Sequence, residues 1–279
     1  RAEQEREQNW RRYAPVCQAR SRLLEAAGRN AEALDCLLAA EKKLTELDQP
    51  GPIDSVLESL VWTQARAGRM DDSEATALRL LERSSNAEQR AEMWLQVALC
   101  RDSNRPEAAL QAFAQALHEA PDQATRERIL TLQGRTLAQL QRWQAVLDLF
   151  PPAQEKPGLW QRNRGLLLAQ AYEALGKLDL AEQRLRKLVT EASDSSAQQR
   201  AQDLTALAEF LNRHARPGGP ELVEQCYREY LEQVAGASQH RIVVNYCRVL
   251  LDQGRSSEAL QILQQQSVPR EALGNLIDR

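Results

Sequence analysis

Three histidines, two methionines and three phenylalanines are all that this 279-residue chain holds of those residue types, and aromatic residues together make up only 5%. His118, His214 and His240 lie far apart, and no His or Cys cluster has metal-ligand spacing, so a metal centre is not expected. No C-x-x-C occurs among the five cysteines, Cys17, Cys36, Cys100, Cys226 and Cys247. They read best as buried thiols that behave as small hydrophobes, with Cys17 and Cys36 facing each other across the first helical hairpin as the one pairing open to a bridge. Unpaired cysteines favour a reducing, cytoplasmic compartment over a periplasmic one. No run of 18 apolar residues exists, which argues against a membrane span. The net charge of −3 comes with both signs interspersed, so the basic stripe of a nucleic-acid binder is missing. Strand-like alternation is absent as well, and with it any glycine-rich loop following a strand, so no cofactor is implied. The N-terminus lacks both an apolar stretch and an initiator Met, and the chain is expected to be a fragment or processed form of a larger protein.

What is present is a helix-forming mixture dominated by Ala, Leu, Gln, Glu and Arg, with 43% hydrophobic and 27% charged residues. Within it a punctuation recurs. Gly28, Gly68, Asn104, Gln141, Gly176, Ala215 and Gly254 stand 40, 36, 37, 35, 39 and 39 residues apart. Five residues after most of these pivots comes a small or β-branched residue: Ala33, Ser73, Ala109, Val146, Ala181 and Ala259. A large apolar residue often follows four further on, as in Leu37, Phe113, Phe150, Leu185 and Leu263. A period of this length marks stacked helical hairpins, each too small to bury its apolar face alone. The expected fold is therefore all-α, a solenoid of seven helix-turn-helix units near 9–50, 53–85, 87–121, 122–152, 158–193, 196–236 and 238–268, with the start of a further helix at 270–279.

Local signals set the expected boundaries. The first hairpin pairs a helix from Asn9 to Ala27 with one from Asn30 to Leu47, and the run Asp48-Gln49-Pro50-Gly51-Pro52 is expected to break the chain. Asp71 and Asp72 open the second helix of the next unit at its positive end. Pro151-Pro152 should cut the fourth unit short. An insertion over Arg216 to Pro220 moves the small position of the sixth unit to Val223 and its aromatic position to Tyr227.

The fifth unit carries Leu168-Ala169, Tyr172, Gly176 and Ala181, the third Ala109, Phe113, Ala116 and Pro121, and the seventh Gly254 and Ala259. At these residues the chain resembles the tetratricopeptide repeat family. The resemblance implies a right-handed superhelical array, no enzymatic activity, and a concave groove, lined by the first helix of each unit, that binds a peptide or protein surface. Carried over by position, it makes Trp62, Arg66, Trp94, Arg101, Arg128, Arg135, Gln170, Arg213, Asn245 and Arg248 the candidate partner-binding residues. Trp62 and Trp94 would form an apolar platform with arginines nearby, a pairing common at interface hot spots; the other reading is that both pack between repeats. The family's carboxylate clamp is missing, because its positions carry Gln18, Arg22, Ser59, Ala91 and Leu95. The leading functional expectation is a protein-interaction scaffold within a larger assembly, with self-association left open. A sensor module of a multidomain bacterial regulator and a periplasmic scaffold for exopolysaccharide export are the alternatives.

Overall fold

Helix follows helix throughout the described residues, with no strand between them. The structure is a computed structural model that describes the backbone of residues 2–46, 50–151, 161–191, 196–234 and 237–266, and the side chains of 13–46, 52–151, 162–191, 196–234 and 239–266. The helix expected over 270–279, residue 47 at the expected end of the second helix, and the breaker residues 48–49 and 152 lie outside these. The contacts divide the chain into two units. The first holds α1 (Ala2–Ala26), α2 (Asn30–Glu46), α3 (Pro50–Arg66), α4 (Met70–Arg83), α5 (Ala87–Arg101), α6 (Pro106–Glu119) and α7 (Gln123–Gln139). The second holds α8 (Trp143–Leu149), α9 (Gln161–Ala174), α10 (Leu178–Glu191), α11 (Ala197–Arg213), α12 (Gly219–Tyr230), α13 (Ala237–Asp252) and α14 (Ser256–Gln265), with a 3₁₀ turn at Leu231–Gln233. Within each unit every helix packs on the next in sequence, and α1 also touches α3, as α11 touches α13. This is the all-α helical-repeat solenoid expected from the period.

The small position of each hairpin explains how its helices come close. Ala33, Ser73, Ala109, Val146 and Ala181 are wholly inaccessible, and Ala259 and Val223 nearly so. The polar exception, Ser73, satisfies its buried hydroxyl by donating to the Val61 carbonyl at 2.8 Å across the α3–α4 crossing. Leu37 and Phe113, the large residues four positions later, are also fully buried and fill the space between neighbouring hairpins. Cys247 occupies a small inner position of α13 with no exposure, and burial pushes its thiol up to about 11. Cys17 and Cys36 stand as free thiols, with the Cys36 thiol donating to the Cys17 carbonyl at 3.8 Å.

Six of the seven pivots share one construction. At Gly28 the backbone N–H reaches back to the Glu25 carbonyl and that of Arg29 to the Leu24 carbonyl, a Schellman closure that requires a left-handed residue at the pivot. The same pair of bonds recurs at Gly68, Gln141, Gly176, Ala215 and Gly254, and Gln141 and Ala215 adopt φ of 56° and 49° despite their side chains. Asn104 differs: its φ is not positive, and α5 ends instead through a bond from Arg105 N–H to the Arg101 carbonyl. Arg105 precedes Pro106 at the first turn of α6 with φ of −141° and ψ of 60°, and this reversal is made without a left-handed residue.

Two expected boundaries are corrected. α1 begins at Ala2 rather than Asn9 and runs through Pro15. The segment read as a breaker supplies the start of α3, whose first turn contains Pro50 and Pro52. There the missing N–H groups would have had no helical partner in any case, so proline begins a helix as readily as it ends one.

Candidate functional site

The first helices of the first two hairpins, α1 and α3, leave between them a cavity of about 370 Å³. The spacing on each helix builds it. Gln18, Ser21, Arg22 and Glu25 fall on one face of α1, and Ser55, Glu58, Ser59, Trp62, Thr63 and Arg66 on the facing side of α3. The Gln18 amide donates to the Ser55 carbonyl at 2.6 Å and to Ser59 Oγ at 2.9 Å, which ties one end of the cavity together. At the other end Arg66 donates to both oxygens of Glu25 at 2.7 Å, and Thr63 Oγ1 donates to the same carboxylate at 2.6 Å. Burial works to raise the Glu25 pKa, but the hydrogen bonds from Arg66 and Thr63 prevail and hold it below the usual carboxylate range. The Trp62 ring forms part of the wall and packs in part on the core of the first unit.

The other candidate residues occupy several environments. Trp94 packs against the same core as Trp62 but is not a lining residue of the cavity, and its indole N–H is buried without a hydrogen-bond partner. Arg101 turns to the second helix of the preceding hairpin, where it and Arg105 hold the buried Glu74. Arg128 forms a two-bond pair with Glu92 of α5 at 2.7 and 3.0 Å, and Arg135 lies 3.7 Å from Asp102. Arg213 is exposed and bonds to Glu173 at 2.5 Å, with His214 Nε2 2.7 Å from the same oxygen. Asn245 is nearly buried and donates to Glu209 at 2.8 Å, a carboxylate that Arg241 also holds. Gln170 is exposed on α9, and Arg248 is half-buried on α13.

These contacts form a repeating device. A cation on one hairpin meets an acid on the hairpin before it, in Arg66–Glu25, Arg101–Glu74, Arg128–Glu92, Arg213–Glu173 and Arg241–Glu209. Of the acids, Glu173 and Glu209 fall on groove positions mapped from the sequence, whereas Glu25, Glu74 and Glu92 were not picked out; each precedes its arginine by 27 to 41 residues. The arginine-rich surface is thus largely compensated from within. A second ladder runs along the turns, where the residue after the pivot is basic at all seven: Arg29, Arg69, Arg105, Arg142, Lys177, Arg216 and Arg255. Arg29, Arg69 and Arg255 pair with acids in the helix they precede, while Arg105, Arg142 and Arg216 pair with Glu74, Glu107 and Asp179 of the previous hairpin.

No protein-family model matches the sequence, and no curated protein does. Solved structures do. A tetratricopeptide repeat protein from Parabacteroides merdae superposes with a TM-score of 0.63 at 16% identity, covering 94% of this chain and 98% of that one. PilW, described as a widely conserved type IV pilus biogenesis factor, gives 0.60 at 17% identity, covering 81% and 98%. The C-terminal part of a TPR repeat-containing protein from Cytophaga hutchinsonii gives 0.59 at 12% identity, covering 92% and 98%. At such identities the likeness is one of fold, and function has to be argued from the site. In fold, then, the chain is a helical-repeat solenoid of the tetratricopeptide type.

Proposed function

We propose that this chain is a non-catalytic interaction scaffold that holds a segment of another protein against α1 and α3, as part of a larger assembly. The observation that carries this reading is the cavity between those helices, where an indole ring stands beside charged and hydroxyl groups on two rigid elements. Such a volume is in the range of ligand pockets, and a rigid aromatic with polar neighbours is the composition that gives interfaces most of their energy. The partner envisaged is a protein or peptide; the net charge of −3 gives no support to a nucleic acid. No helix among the described residues is long and apolar enough to cross a membrane, which agrees with a partner met in water. In this reading Trp62 and Arg66 contact the partner, and Trp94 belongs to the packing between repeats.

A photo-crosslinking amino acid placed at Ser59 tests the proposal. In cells that make the protein it is expected to give an adduct with a defined partner. Trp62→Ala should then weaken that partner by about 2 kcal/mol, some 30-fold, without loss of helicity. An adduct that persists unchanged in Trp62→Ala, or none from Ser59, would overturn it.

A further inference from the structure

Two of the four charged side chains that line this cavity are already committed to each other. Arg66 is closed on Glu25 through two bonds, and Gln18 is spent on Ser55 and Ser59. Two charges are left over. Arg22 is exposed on α1 and makes no ion pair with any described residue; its field acts on Glu25, which Arg66 already holds. Glu58 is exposed on α3 and accepts one hydrogen bond at 3.1 Å, from the neutral amide of Gln89. Elsewhere Arg101, Arg128, Arg213 and Arg241 each have a carboxylate on the preceding hairpin. At this cavity, then, an uncompensated cation on one helix and an uncompensated anion on the other face the same space, with the Trp62 indole on its wall. Uncompensated charge at an interface contributes chiefly to selection among partners, because a wrong sign is repelled and a right one steered.

We propose that the α1–α3 cavity selects a segment carrying both signs of charge: a carboxylate for Arg22, a cationic side chain for Glu58, and an apolar or aromatic side chain between them for Trp62. This deepens the scaffold reading and rests on it. The charge order along the segment is the specificity determinant, and a segment of uniform sign is rejected at one helix or the other.

A displayed library of random 12-residue peptides, selected on the purified full chain, is the test. Wild type is expected to enrich sequences with an acid and a base on opposite sides of a large apolar residue. Arg22→Glu and Glu58→Arg should each weaken a selected peptide about tenfold or more. The double exchange should bind a synthetic peptide with its two charges swapped about as well as wild type binds the original. Circular dichroism and thermal melting are expected to be unchanged, since both side chains are exposed. Enriched peptides with no charge pattern, or peptides indifferent to the double exchange, would overturn the charge rule and leave the scaffold reading standing. Peptides that bind Trp62→Ala as well as wild type, or no enrichment at all, would overturn both.

Discussion

A left-handed backbone strains any L-residue with a side chain, and two of the pivots accept that strain. Ala215 and Gln141 sit at φ of 49° and 56°, where Gly28, Gly68, Gly176 and Gly254 are at ease. Ala215→Gly and Gln141→Gly are therefore expected to stabilise the chain by about 0.5–1 kcal/mol each, and Gly176→Ala to destabilise it by a similar amount. Asn104→Gly should instead be neutral or destabilising, because Asn104 is not left-handed and the added chain entropy has nothing to offset it. Urea titrations of the four variants check the signs; stabilisation by Asn104→Gly equal to that by Ala215→Gly would show that φ is not the cause. The pivots were legible as a period because every reversal needs some turn residue there. The different closure at Asn104 was not, since it lies in which carbonyl the Arg105 N–H reaches, that of Arg101, and the pivot residue type does not mark this.

Between elements, the tightest constraint is the small residue at each crossing. Ala109 is wholly buried where α5 and α6 meet, and Phe113 is sealed one turn later. Ala109→Leu would force these helices apart and is expected to cost about 1–3 kcal/mol or more, whereas Ala108→Leu on the neighbouring, partly exposed position should cost far less. A thermal melt comparing the two decides whether close approach or side-chain volume alone matters. This layer of the fold could be read directly, because spacing along a helix maps onto its faces. The candidate site could be read only by halves. Trp62 and Arg66 follow from their place on α3, but Glu25 reaches Arg66 from a residue 41 positions earlier, and no local pattern marks such a partner. The prolines at 50 and 52 do fall where one helix gives way to the next, but they stand inside the first turn of α3, so the second unit begins at Pro50 rather than 53.

At the scale of the molecule, stability in a hairpin array is close to a sum over neighbours, and there is no single core to lose. A chain ending at Val234, without α13 and α14, is expected to keep a native helical signal per residue. It should lose a few kcal/mol, with a urea slope reduced roughly in proportion to the chain removed. Collapse to an unfolded state on this truncation, seen by circular dichroism, would show that the last hairpin is integral to the rest. The ladder of cations to acids on the preceding hairpin has a consequence for how such a chain can change. Arg128 fits after a hairpin that carries Glu92, Arg241 after one that carries Glu209, and the offsets differ from step to step. The hairpins are therefore not interchangeable beads. Exchanging the hairpins that carry Arg128 and Arg241 would set each arginine against a neighbour whose acid stands elsewhere, so at these steps a unit in effect carries the address of the one before it and part of the order of the array is written into its charges.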